Sequence, residues 1–524
     1  MFASLLALAE VKRSGVRSLA PPARALTAVL APTAVLALAA VLSMLGLQPA
    51  LAAEAAAEHA AGHAAPHLEG AALTLIWDIP FMGILLSIAI FPLVAPIWWH
   101  NNFGKVSAFW AFAFLVPFAL IFGWELAVFE IIHVAILEYI PFIILLLALF
   151  TVAGGVRLKG HLRGSPAVNT GILALGTVLA SFMGTTGAAM LLIRPILRAN
   201  AWRQHRVHTV VFFIFLVANI GGSLTPLGDP PLFLGFLKGV DFFWPMTNMF
   251  LPMLVMALPL LLIYFVFDSY LFRREPQREA PAEPGDQEAG STGPLSLEGS
   301  FNIVLLLGVM GCVLLSGFWQ PGLSFDVYHT EWELQNIVRD LLLLSIAYVS
   351  WRMTSRESRQ ANGFTWFPIL EVAKLFAGIF ITIIPAIAML RAGENGALAD
   401  VIRSVTKEDG QPLNYMYFWA TGVLSSFLDN APTYLVFFNT AGGAPNVEKL
   451  MTEWSTTLLA ISCGAVFMGA MTYIGNAPNF MVRSIAEERG VAMPSFFGYL
   501  LWSIVFLVPL FVVVTLIFFA GELL

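Results

Sequence analysis

The feature that most constrains this chain is its succession of apolar runs of about twenty residues. A helix rising ~1.5 Å per residue needs that length to cross the ~30 Å hydrocarbon layer of a bilayer. The runs fall at 73–97, 106–123, 127–153, 169–193, 209–238 and 246–271, and again at 301–319, 340–352, 366–390, 414–438, 455–482 and 494–519. A membrane β-barrel would show ~10-residue stretches of alternating polarity instead. Charged residues make up 11% of the 524, against roughly 25% in an average soluble domain. So few cannot cover a water-soluble surface. The expected fold class is an all-α polytopic membrane protein, with membrane lipid as a partner. A net charge of −6 with no basic block argues against a nucleic-acid partner. Cys312 and Cys463 lie inside apolar runs and read as small buried hydrophobes.

Three stretches stand outside this pattern. Residues 1–52 carry Lys12, Arg13, Arg17 and Arg24, then an alanine-rich apolar run ending in Ala50-Leu51-Ala52, as a signal peptide or N-terminal anchor does. Residues 53–72, with His59, His63 and His67, read as a periplasmic His/Ala-rich linker. Residues 273–300 are rich in Pro, Glu, Gly and Ser and read as a cytoplasmic disordered linker. That linker divides a first transmembrane repeat, 73–272, from a second, 301–524, with six apolar runs on each side.

Equal halves invite a search for duplication. Ser181-Phe182-Met183 precedes Gly184-Thr185-Thr186-Gly187, and 245 positions later Ser426-Phe427-Leu428 precedes Asp429-Asn430-Ala431-Pro432. Gly222-x-x-Thr225-x-x-Gly228-Asp229-x-Pro231 recurs after 247 positions as Gly469-x-x-Thr472-x-x-Gly475-Asn476-x-Pro478. Similar apolar helices would not reproduce Thr, Gly, an acid or amide, and Pro together by accident.

Charge placement supplies an orientation. The loops at 157–163 and 194–206 are both basic, yet they flank the run 169–193. A re-entrant hairpin over 169–193, with Gly184 at its tip, puts both on the cytoplasmic side. A matching hairpin over 414–438, entered from outside, leaves 16 Lys/Arg inside and six outside. The two repeats are then inverted, each with a re-entrant hairpin and a broken transmembrane helix, at 209–238 and 455–482.

Gly and Pro in mid-span free backbone groups that hydrocarbon cannot satisfy, so such breaks persist where they line a buried site or a watery cavity. Freed carbonyls and half-helix ends suit a small ion, and Na+ is a hard cation that takes oxygen ligands. Ser181, Thr185, Thr186, Thr225, Ser426, Asn430, Thr472 and Asn476 add hydroxyl and amide groups to the same four patches. Asp229 and Asp429 lie within them, although an aspartate at the bilayer centre costs roughly 2.5–3.5 kcal/mol on insertion scales. The expectation is a Na+ site in the Asp229 and Asp429 region, where sodium and protons compete for carboxylate; the plainer alternative is that each aspartate caps a half-helix. Glu130 and His133, one turn apart, form a weaker candidate proton relay with Glu138 nearby. Glu371 and Lys374 read as a neutralised i,i+3 pair.

These residues resemble a family. Ser-Phe-Leu-Asp-Asn-Ala-Pro (426–432) and Thr-Pro-Leu-Gly-Asp-Pro-Pro (225–231) look like the ion transporter superfamily, and within it the D-type bacterial sodium/proton antiporters and a related branch of citrate transporters. The resemblance spans roughly 73–519. It implies a homodimer in the bacterial inner membrane, with two hairpin-bearing transport domains that slide as elevators, no cofactor, and Na+ and H+ as transported ions at Asp229 and Asp429. Carboxylate-carrying relatives place Ser-Asn-Thr at each hairpin tip. This chain has Gly184-Thr185-Thr186 and Asp429-Asn430-Ala431 instead, which disfavours an anion. Sodium/proton antiport is therefore the leading expectation, with cation-coupled transport of a carboxylate such as citrate as the alternative. An intramembrane aspartyl protease would require the two aspartates to share a proton at hydrogen-bond distance.

Overall fold

A computed structural model describes residues 66–160, 162–275 and 296–522. The expected signal or anchor, most of the His/Ala-rich linker with His59 and His63, and residues 276–295 lie outside the described residues.

The described chain is mostly helical. Seven helices are long and apolar enough to cross a membrane: Leu75–Val94, Pro96–Phe122, Trp124–Ala153, Pro166–Met183, Trp244–Phe272, Phe301–Phe318 and Phe496–Phe519. The number is nine if each of two bent pairs counts as one span. Their outward faces expose large apolar side chains, Leu120 and Ile97 among them, which water would not tolerate in such density and lipid does. The chain is a multi-pass membrane protein. Several of the twelve apolar runs are not single rods, because Gly and Pro divide them.

The run at 169–193 is two helices, Pro166–Met183 and Thr185–Ala199, separated by Gly184 at φ +80°. A positive φ suits glycine, which lacks the Cβ that would clash there. Ser165 caps the first helix by accepting from the Val168 N–H at 3.3 Å. The chain then turns back on itself. Gly164 N–H donates to the Ala199 carbonyl at 2.8 Å, and Asn169 Nδ2 donates to Asn200 Oδ1 at 2.9 Å. The basic loops on either side therefore share one end of the molecule. The run at 414–438 is likewise divided into Asn414–Phe427 and Asn430–Thr440. Tyr417 and Phe437 meet across it edge-on with centroids 6.4 Å apart.

The runs at 209–238 and 455–482 are broken in the same way. Val207–Leu216 gives way to a tight turn at Ile220–Ser223 and then to Pro230–Leu237. Ser455–Met468 gives way to Gly469–Met471 and then to Ala477–Glu488. These segments form the core: Phe212, Phe213, Phe215, Ile461 and Phe467 are fully buried.

Short strands were not foreseen. β1 (Arg157–Lys159) pairs antiparallel with β2 (Ser296–Glu298), so the stretch read as disordered from 273 to 300 is in fact structured at 296–300. Its other end is also fixed, since Glu275 accepts from the Gln204 and His205 N–H groups at 2.9 and 2.8 Å. β3 (Ser324–Val327) and β4 (Thr330–Glu333) form a hairpin whose turn places Tyr328 and His329 at positive φ, as a type I′ turn requires. The Glu371–Lys374 pair is corrected too. The Lys374 ammonium lies 5.5 Å from the centre of the Phe103 ring on a neighbouring helix, and among the described residues no ion pair joins it to Glu371.

Candidate functional site

All four breaks meet at the Asp229 carboxylate. Asp229 ends the first broken segment, just ahead of Pro230 and Pro231, with an extended backbone. Its Oδ1 accepts from Thr185 Oγ1 at 3.1 Å and from Asn476 Nδ2 at 3.0 Å. Its Oδ2 accepts from Asn430 Nδ2 at 2.5 Å. Thr185 opens the return helix of the first hairpin, Asn430 opens that of the second, and Asn476 ends the second break. The sequence offset relates these residues in pairs: Thr185 to Asn430, and Asp229 to Asn476. The carboxylate thus stands where the two halves face each other.

Tight backbone packing makes this approach possible. A Cβ on Gly222 would lie 2.6 Å from Thr185 Cγ2, and one on Gly228 only 2.2 Å from the Gly222 carbonyl. Thr185 N–H donates to the Gly228 carbonyl at 2.9 Å, tying the first tip to the first break. The hydroxyls do the same work in each half. Thr225 Oγ1 donates to the Ser181 carbonyl, and Thr472 Oγ1 to the Ser426 carbonyl at 2.5 Å. Ser181 Oγ donates to the Gly221 carbonyl at 2.5 Å, and the Ser426 hydroxyl is shared between the Gly422 and Met468 carbonyls at 2.8 and 3.1 Å; the two serines are 245 positions apart, and Gly221 and Met468 are 247 apart. Ser181, Thr225, Ser426 and Thr472 therefore hold the breaks together, whereas Thr185, Asn430 and Asn476 touch the carboxylate. Thr186 is half-buried beside Thr185 and makes no side-chain hydrogen bond among the described residues.

Electrostatically the site is unbalanced. Asp229 is 1% exposed, its three donors are neutral, and among the described residues no Lys, Arg or His pairs with it. Asn430 adds a second imbalance: its Oδ1 is buried and has no hydrogen-bond partner. A buried carboxylate without a counter-charge and an amide oxygen without a donor are each costly. A cation held by both oxygens would relieve both. Among the described residues no cluster of three or more His, Cys, Asp or Glu forms a polyvalent metal site.

Asp429 has a different role in its own helix. Its Oδ1 accepts from the Ala431 N–H at 3.0 Å, the capping contact of an N-terminal residue. It does not hydrogen-bond Asp229, so no protease-type carboxyl dyad is formed. Glu130 and His133 also lie apart from the Asp229 cluster. They line a cavity of about 400 Å³ with Glu138 and Arg391, where Glu138 pairs with Lys238. Asn219 and Asn479 were missed by reading the sequence. Both are fully buried beside Asn476; the signal for Asn219 was an amide standing alone in an apolar run just before Gly221-Gly222, and for Asn479 a second amide one turn after Asn476.

The geometry can be set beside known proteins. A family profile described as "Putative citrate transport" matches residues 70–519. The chain belongs to this family. It is also similar to an uncharacterized transporter of Mycobacterium tuberculosis, 25% identical over 347 residues that cover 63% of this chain and 71% of that protein. An uncharacterized transporter of Mycobacterium bovis matches equally. The family and its relatives point to a transporter rather than an enzyme.

Proposed function

We propose that this protein is a secondary active transporter of the bacterial inner membrane that exchanges sodium for protons. The observation that carries the reading is the fully buried Asp229 carboxylate, met by three neutral donors and flanked by the unpartnered Asn430 oxygen. One negative charge with neutral oxygen ligands suits a monovalent cation or a proton, and the two then compete for the same place. On this reading the two halves are inverted repeats. Their hairpins re-enter the membrane from opposite faces and carry the site as an elevator within a homodimer, with Asp429 at the second tip as a further acidic group.

The second reading, cation-coupled transport of a carboxylate such as citrate, is favoured by the family description. A bound cation at Asp229 would then screen the carboxylate so that an anion could approach. One experiment separates the two. Everted vesicles containing the folded protein are given sodium, lithium, potassium and labelled citrate in turn. A sodium-dependent collapse of a preformed pH gradient supports antiport; citrate accumulation that requires a sodium or proton gradient supports the alternative. Vesicles that show neither would refute the transport site at Asp229.

A further inference from the structure

Behind Asp229 the three buried amides form a single directed chain. Asn476 Nδ2 lies 3.0 Å from Asp229 Oδ1, 3.2 Å from the Ala218 carbonyl and 3.2 Å from Asn219 Oδ1. Asn219 Nδ2 donates to the Ile214 carbonyl at 2.8 Å and to Asn479 Oδ1 at 2.7 Å. Asn479 Nδ2 donates to the carbonyls of Gly469 and Thr472 at 2.8 and 2.9 Å. The orientation of each amide is fixed by chemistry, because a backbone carbonyl accepts and never donates. Each Nδ2 must face its carbonyl, so the Oδ1 of Asn219 and that of Asn479 each face the preceding amide. The chain thus runs from the Asp229 carboxylate in the first half to the carbonyls freed at the second break.

Duplication shows that the fold does not need this chain. The position 247 after Asn219 is Val466, and the position 247 before Asn479 is Leu232; both are buried. The same scaffold is therefore built in the other half with apolar side chains at these places. Buried amides are costly unless every group is paired, so their presence on one side alone calls for a reason beyond packing.

We infer that Asn219 and Asn479 are positioning residues for the cation site: they hold the Asn476 amide with its N–H toward Asp229. This rests on the reading of Asp229 as a sodium site. With the chain intact, the carboxylate is held in one orientation and sodium finds it ready. Without Asn219 the Asn476 amide loses one of its three acceptors, and without Asn479 that acceptor is itself no longer held; the amide then keeps only the Ala218 carbonyl and Asp229, and the site is less firmly ordered before the ion arrives.

The test measures sodium half-saturation of proton flux in liposomes, and sodium-induced thermal stabilisation in detergent, for the wild type, Asn219→Leu, Asn479→Leu and the double variant. Asn219→Ser, shorter but still a donor, serves where leucine prevents folding. The expectation is a roughly tenfold rise in half-saturating sodium in each single variant, the size of one lost buried hydrogen bond. The maximal rate should be retained, and the double variant should be no worse than a single, because both break one chain. Two independent packing roles would give additive losses, and these would overturn the inference. So would folded variants with the wild-type sodium dependence. A wild type indifferent to sodium would refute the sodium site itself, and this inference with it, before any variant is compared.

Discussion

Asp229→Asn is the most informative single change, because the structure separates its effect on charge from its effect on folding. The substitution keeps shape and volume, and it places an NH2 group where one carboxylate oxygen stood. At the Oδ1 position that group would face two donors, Thr185 and Asn476. At the Oδ2 position it faces only Asn430. Asn430 can turn over, because its Oδ1 has no partner to lose. One orphan group is exchanged for another, so the stability cost should stay below about 1 kcal/mol. The charge, by contrast, is lost outright. A unit charge ~4 Å from a cation contributes roughly 4 kcal/mol at an effective dielectric of about 20, or about three decades in affinity. The assay is sodium-driven proton flux in liposomes, paired with a thermal melt of the same preparation. The expected result is a near-normal melt with no sodium response up to at least a hundredfold the wild-type half-saturation. A folded Asp229→Asn protein that keeps its sodium response within threefold would show that this carboxylate does not bind the ion.

Three further outcomes follow from the same geometry. Asp429→Asn should keep the helix cap, since Asn caps as well as Asp, whereas Asp429→Ala should lower stability by about 1 kcal/mol; a loss of flux in the Asn variant, measured beside its melt, would then report the charge. Gly228→Ala should fail to give folded protein in a size-exclusion assay, because its Cβ meets a backbone carbonyl at 2.2 Å, while Gly222→Ala, whose nearest contact is the Thr185 methyl at 2.6 Å, should fold with impaired flux. At the β1–β2 strand pair, the hydrogen bond from Lys159 holds the Glu298 carboxyl below its ordinary range. Such a depressed group stabilises above its unfolded value of about 4.3 and loses that contribution as pH falls through the folded value. Glu298→Gln should therefore melt slightly lower than wild type at pH 7, by under about 1 kcal/mol for so exposed a pair, and the gap should close below pH 4.

The sequence carried the class of fold and the location of the breaks, because both rest on local chemistry. Runs of apolar residues and the recurrence of Thr, Gly and Pro are visible without knowing what touches what. It also carried Asp229, Asn430, Asn476 and Thr185 as one group, since each lies in a patch that the offset of 245–247 matches to another. What it could not carry were contacts set by packing between distant segments. Asn219 and Asn479, 260 positions apart, gain meaning only once the two broken runs are pressed together. The buried pair Arg203–Asp268, at 2.5 Å, was hidden for the same reason, since Arg203 looked like one more basic loop residue. The different roles of Asp229 and Asp429 were likewise illegible. Both precede a helix, and only the three-dimensional structure reveals which carboxylate caps its own helix and which is held by its neighbours.

The two halves offer the site matching positions, yet one holds an acid and the other an amide, and this difference sets the charge the site can take. Asn476→Asp tests the point. It would place a second carboxylate about 3.0 Å from the first, in place of a donor, and would set acceptors against the Ala218 carbonyl and Asn219 Oδ1. Two ionised carboxylates at that distance repel by at least 4 kcal/mol at an effective dielectric of about 20, so the pair requires either a shared proton or a doubly charged ion. Sodium affinity should fall by more than tenfold, while magnesium or manganese should raise the melting temperature of the variant and leave that of the wild type unmoved. Thermal melts across a metal series read this directly, without relying on flux. A variant that still prefers sodium and ignores divalent ions would mean that the carboxylate charge does not select the ion, and that the neutral oxygens of Thr185 and Asn430 define the site instead.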